Sequence, residues 1–163
     1  MEGRLRSAAL ALVAISGILL FSSSAFCRDM QGRLGMGYSN EFSNGVPGVS
    51  LKYAFTRDIA VQGMLGFSTT SPLNSGTGLK LFKNIFYETN LNFYYMLGAG
   101  ILTAKSTTAA EFITGFGTEF FIPGLESLGF MIETGAIFGN ISGSFILHTL
   151  GVSFLNAGIH FYF

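Results

Sequence analysis

Apolar residues occupy every second position in block after block of this chain, and a period of two predicts β-strands with one apolar face. The pattern is clearest at the C-terminal end, where Leu155, Ala157, Ile159, Phe161 and Phe163 share a phase. Upstream, Leu34, Met36 and Tyr38 alternate with Arg33, Gly35 and Gly37. Val49, Leu51, Tyr53 and Phe55 alternate with Ser50, Lys52 and Ala54, and Thr56-Arg57-Asp58 then reverses the chain into Ile59, Val61, Leu65 and Phe67. Leu79 and Leu81 flank Lys80, with the alternation blurring at Phe82-Lys83-Asn84. Three longer blocks follow: Leu91 to Ile101, Phe112 to Phe120 and Phe130 to Phe138.

These blocks make eight strands, joined alternately by short turns and longer polar loops near 39–48, 68–77, 103–111 and 139–149. Turn residues at Thr56-Arg57-Asp58, Thr89-Asn90 and Pro123-Gly124 mark the short connections. The expected fold class is all-β: an eight-stranded antiparallel up-and-down transmembrane β-barrel, preceded by a cleavable signal peptide. The stretch from Gly135 to Phe163 has no Asp, Glu, Lys or Arg, yet Gly, Ser, Asn and His interrupt it too often for a spanning helix. It reads as an outer loop followed by the closing strand.

Charge placement sharpens this reading. Most charges fall in termini, turns and loops, among them Lys105 and Glu111, and those inside predicted strands are Arg33, Lys52, Lys80, Glu119 and Glu133. All five sit on the phase opposite the apolar face, as a lipid-facing wall requires, because Lys or Arg at the bilayer midplane costs about 2–4 kcal/mol.

Composition agrees. Apolar residues make up 49% of the chain and charged ones 11%, against about 25% charged in ordinary soluble domains. The N-terminal segment has Arg4 and Arg6, an apolar run from Ala8 to Phe21, and a small-residue end, Ser22 to Cys27. This is the layout of a secretory signal peptide, cleaved after Ala25 or after Cys27, with a mature start near Arg28 preferred. The expected division is therefore 1–27 signal peptide and 28–163 barrel. Cys27 is the only cysteine, so no intrachain disulfide forms, and Phe26 before it argues against a lipidated junction. Residues 28–163 carry seven basic and eight acidic side chains, a formal charge of −1, without the basic patch that nucleic-acid binding needs.

Candidate chemistry is sparse. Glu119 and Glu133 are equidistant from residue 126, so a hairpin centred there sets them opposite each other inside the barrel. In an eight-stranded ring the second strand faces the sixth, which brings Lys52 toward Glu119, with Lys80 and Arg33 as further partners. These five residues read as a structural lumen cluster, since eight strands leave room only for side chains. His148 and His160 invite comparison with outer-membrane lipid deacylases, but no acidic residue near them in sequence orients an imidazole, and His160 reads as a hydrogen-bonded lumen residue. No catalytic, cofactor-binding or metal-ligating set is expected. The inward glycines read as space for Tyr94, Met96 and Tyr162. Tyr38, Tyr53, Tyr87 and Phe163 are candidates for an interfacial girdle.

The chain resembles the small bacterial outer-membrane β-barrel domain proteins of OmpA/OmpX-type design. The resemblance rests on Gly32-Arg33-Leu34-Gly35-Met36-Gly37-Tyr38, Gly48-Val49-Ser50-Leu51-Lys52-Tyr53, the hairpin Glu119 to Phe130 with its Phe-Phe-x-Pro-Gly-Leu core, and the Ala157-to-Phe163 ending. It implies an outer-membrane address and makes Phe161 and Phe163 look like the signal read by the barrel-assembly machinery. The function expected is structural or surface-interactive, with a polar lumen plugged by side chains. The alternative is a narrow conduit or small-ligand carrier, and a lipid-modifying enzyme ranks third. The expected partners are the outer-membrane bilayer and the assembly machinery, with no cofactor and a monomeric state.

Overall fold

The computed structural model describes residues 29–39, 46, 48–69, 74–104, 107–141, 144–150 and 154–163; the expected signal peptide and Cys27 lie outside them. The described residues form nine antiparallel strands: β1 (Leu34–Ser39), β2 (Gly48–Ala54), β3 (Ile59–Ser68), β4 (Asn74–Glu88), β5 (Leu91–Ala104), β6 (Thr107–Phe121), β7 (Leu128–Ile141), β8 (Ser144–Thr149) and β9 (Asn156–Tyr162). Each of β1 to β7 pairs with the next, and β9 pairs with both β7 and β1, so eight strands close a ring.

The ninth strand corrects the expected loop at 139–149. β8 continues the eighth strand of the wall: it pairs with the loop end of β7, from Ala136↔Thr149 to Ile141↔Ser144, while β9 pairs with the turn end, from Leu128↔Phe161 to Glu133↔Asn156. Between the two ladders β7 has only Thr134 and Gly135, whereas six residues of sequence separate Thr149 from Asn156, and that excess interrupts the eighth strand. Leu150 turns fully inward there, and its N–H donates to the Gly135 carbonyl at 3.0 Å. The loops expected at 68–77 and 103–111 are also shorter, because β4 starts at Asn74 and β6 at Thr107. Glu111 is consequently an inward, buried residue of β6, not a loop residue.

Local chemistry explains the turns. The Leu125 N–H reaches the Ile122 carbonyl at 2.9 Å across Pro123-Gly124, and Gly124 has φ +86°. Proline second and a left-handed glycine third define a type II turn. In the β2–β3 turn, the Thr56 hydroxyl accepts from the N–H groups of Asp58 and Ile59 at 3.2 and 3.0 Å. The blurred alternation at Phe82-Lys83-Asn84 continues as strand, with the ladder to β5 slipping at a bulge between Asn84 and Phe86. The Asn84 N–H donates to the Asp58 carbonyl at 2.8 Å, which ties the neighbouring turn to this edge.

Side chains divide by phase as the alternation predicts. Val49, Leu51, Leu65, Leu79, Leu81, Ile101, Phe112, Phe116, Ile132, Phe161 and Phe163 all face outward and exposed. Inside, the expectation of a polar lumen is corrected to a mixed one: Phe82, Tyr94, Met96, Ile113, Phe121, Ile137 and Tyr162 are buried together with the charged groups. On β5 and β6 both phases carry large apolar residues, so the apolar pattern there does not by itself identify the outer face.

Candidate functional site

The centre of the lumen holds two ion pairs. From β2, Lys52 Nζ donates to Glu119 Oε2 on β6 at 2.8 Å, and from β4, Lys80 Nζ donates to Glu133 Oε2 on β7 at 2.8 Å. All four side chains are at most 6% exposed. Taking such charges out of water costs several kcal/mol per ion, which is offset only when good geometry and further hydrogen bonds satisfy each group. Those further bonds are present. Tyr162 O–H donates to Glu119 Oε1, Tyr94 O–H to Glu133 Oε1 at 2.8 Å, and Asn156 Nδ2 to Glu133 Oε2 at 3.4 Å. Both carboxylates therefore have donors on each oxygen.

Aromatic faces complete the setting of the cations. Lys52 Nζ lies 4.5 Å from the Phe82 centroid and 5.1 Å from that of Tyr94, and Lys80 Nζ lies 5.0 Å from Phe82. Phe82 and Tyr94 meet edge to face at 5.0 Å. A ring face attracts a cation through its quadrupole, the more so where water is excluded.

The sequence-derived candidates separate into those that meet and those that do not. Lys52, Lys80, Glu119 and Glu133 converge, whereas Arg33 lies half-exposed just before β1, at the turn end of the barrel. The expected face-to-face placement of Glu119 and Glu133 is corrected by the register. Glu119 pairs with Met131 and Glu133 with Gly117, because the hairpin is centred on residue 125 and its last pair is Phe121↔Gly129. The two-residue offset gives each carboxylate its own lysine. Phe161 is outward on β9, and Phe163 follows it, exposed at the turn end.

Glycines make the room this cluster needs. A Cβ on Gly117 would sit 2.7 Å from the Tyr94 ring and 2.8 Å from Glu133 Cγ, and one on Gly35 would sit 2.6 Å from the Tyr162 ring. Ser50, Tyr94 and Asn156 join the polar network, although nothing in the sequence singled out their polar groups. Their inward phase was the available signal, but their partners depend on how the ring closes.

His160 is fully buried, and its Nε2 lies 2.8 Å from Ser50 Oγ. The other histidine, His148 on β8, lies half-exposed with Nε2 4.0 Å from Glu111 Oε1 on β6. The fold thus brings an acidic residue near His148 from a distant strand, contrary to the expectation that none is at hand. Ser153, the hydroxyl weighed with it, lies outside the described residues. Among the described residues, no group of three His, Cys, Asp or Glu side chains converges as a metal site would.

No family model and no curated protein matches the chain. Among solved structures, the N-terminal β-barrel domain of Pseudomonas aeruginosa OprF superposes with a TM-score of 0.53 at 16% identity, over 82% of this chain and 98% of that domain. The fold is that of an OmpA-type barrel. In this OmpA-type ring, the charged lumen belongs to a closed eight-stranded wall, and among the described residues β8 lies outside that circuit, extending the β9 side of the wall along β7.

Proposed function

We propose that this chain is an integral outer-membrane β-barrel protein with a structural or surface-interaction role, its lumen closed by its own side chains. The observation that carries the reading is the segregation of charge. Lys52, Lys80, Glu119 and Glu133 are buried inside, while the outer wall between the two rims presents aliphatic and aromatic side chains. Such a surface is costly in water and is suited to hydrocarbon. The OprF domain supports the same setting by its fold. In this proposal residues 1–27 direct export, Phe161 and Phe163 form the mark recognised during barrel assembly, and the loops present the surface available to partners. The barrel works as a monomer.

Membrane fractionation combined with a heated-versus-unheated gel shift tests the proposal. A folded barrel in the outer-membrane fraction, with different mobility before and after boiling, is the expected result. A soluble protein with one mobility contradicts it. Single-channel recordings in planar bilayers separate the filled lumen from the conduit alternative: silence supports filling, and steady conductance contradicts it.

A further inference from the structure

We infer that β9 carries an inner latch, made of His160 and Tyr162, that locks the barrel only after this final strand has docked. The ladder partners of β9 are β1 and β7. Two of its inward side chains nevertheless bond beyond those neighbours. His160 reaches over β1 to Ser50 on β2 at 2.8 Å, and Tyr162 reaches over β7 to Glu119 on β6. Each bond straddles one strand from the inside, as a staple does.

Glycine lies under both staples. Gly37 of β1 is the ladder partner of both Ser50 and His160, and a Cβ there would collide first with the Ile159 carbonyl oxygen and then with His160 Cδ2 at 2.7 Å. Gly129 of β7 lies under the second staple: its Cβ would meet Glu119 Oε1 at 2.9 Å and the Tyr162 ring at 3.1 Å. Any larger residue at Gly37 or Gly129 would intrude on the bond that passes over it.

Order of formation follows from connectivity. Ser50 and His160 are 110 residues apart, and Glu119 and Tyr162 are 43 apart. Contacts between distant segments form only after the chain between them is ordered. The Ser50–His160 staple cannot form until β9 has docked on β1, the seam that closes the ring, and the Tyr162–Glu119 staple cannot form until this last strand has docked on β7, so both belong to the barrel with its final strand in place and not to the state in which the first strands pair. Contacts absent from the transition state slow unfolding without speeding folding. Tyr162 also supplies the donor to Glu119 Oε1 in the buried network, so the final strand completes the satisfaction of the Lys52–Glu119 pair.

The inference rests on the barrel fold and on the proposed bilayer setting, and one experiment separates the two. The chain is refolded from urea into phosphatidylcholine vesicles, and folding and unfolding rates are read from the gel shift for wild type, Ser50→Ala, Tyr162→Phe and Ser50→Thr. If wild type gives no folded band, the bilayer setting fails. With wild type folded, Ser50→Ala and Tyr162→Phe are each expected to unfold about tenfold faster with folding rates within about twofold of wild type. Ser50→Thr, which keeps the hydroxyl, is expected to unfold at the wild-type rate. Unfolding rates unchanged by the two truncations would overturn the latch. So would a loss that falls mainly on the folding rate, or a truncated variant that gives no folded band, because a late-forming lock is not needed to fold.

Discussion

Lys52 on β2 and Glu119 on β6 meet at 2.8 Å across the lumen, although 67 residues separate them in sequence. Removing one partner leaves the other charge buried, which typically destabilises by about 3–5 kcal/mol. Lys52→Met and Glu119→Gln are therefore each expected to lower unfolding free energy strongly, and the double variant to lose much less than their sum. A double-mutant cycle in urea checks this, with purely additive effects as the contrary outcome.

Gly117→Ala places a methyl group between the Tyr94 ring and Glu133 Cγ, at 2.7 and 2.8 Å. Those two side chains are bonded to each other and cannot both give way, so the substitution should destabilise by about 1–3 kcal/mol. At Gly63, which faces outward, a Cβ would meet only Leu79 Cδ2 at 3.7 Å. Gly63→Ala should stay within about 0.5 kcal/mol of wild type. The same urea titration compares the two, and equal effects would contradict the packing described here.

The ring was legible in the sequence wherever alternation was clean, because a strand buried on one face must repeat every two residues. The phases of Lys52, Lys80 and Glu133 follow from that rule, whereas on β6, where both phases are apolar, Glu119 itself marks the inner face. Registers were less accessible: the 119–133 hairpin is displaced by two residues, since its turn is set by Pro123-Gly124 and centred on residue 125. β8 was hidden because Ser144 to Thr149 carries no Asp, Glu, Lys or Arg to mark an inner face, and glycines and serines surround it. The partners of Ser50, Tyr94 and Asn156 were out of reach, because contacts across a lumen depend on closure and stagger, not on local pattern.

A cation on the outer wall gives a third prediction. Leu79 faces outward on β4, and Leu79→Lys should destabilise the barrel in vesicles by up to about 2–4 kcal/mol, depending on its depth in the bilayer. Leu125→Lys in the β6–β7 turn should change stability by less than about 0.5 kcal/mol. Equal penalties at the two positions would count against a bilayer around β4.

The β2–β3 turn carries a pH dependence of its own. Asp58, on that turn, accepts from Lys83 Nζ at 2.8 Å and from the Tyr87 hydroxyl. The hydrogen bond from Lys83, followed by that from Tyr87, holds its carboxyl below the ordinary value of 3.8. A depressed carboxylate stabilises the folded state above 3.8, and that contribution is lost as pH falls from 3.8 through the lowered value. Protection of the Asn84 amide, whose N–H is bonded to the Asp58 carbonyl, should therefore weaken below pH 3.8 in wild type and lose this dependence in Asp58→Asn. Hydrogen exchange across that pH range, corrected for intrinsic exchange, reads the difference.

Site-directed spin labelling along β3 tests the inside-out arrangement most directly. Single cysteines are placed in turn at Val61, Gln62, Gly63, Met64 and Leu65 in a Cys27→Ser background, in vesicles, and relaxation by oxygen is measured. Labels at 61, 63 and 65 are expected to be relaxed strongly by lipid-dissolved oxygen, and those at 62 and 64 to be shielded and immobilised. An accessibility profile with no period of two, or with 62 and 64 as the oxygen-exposed positions, would contradict a barrel that turns its apolar phase to lipid and its ionic phase inward.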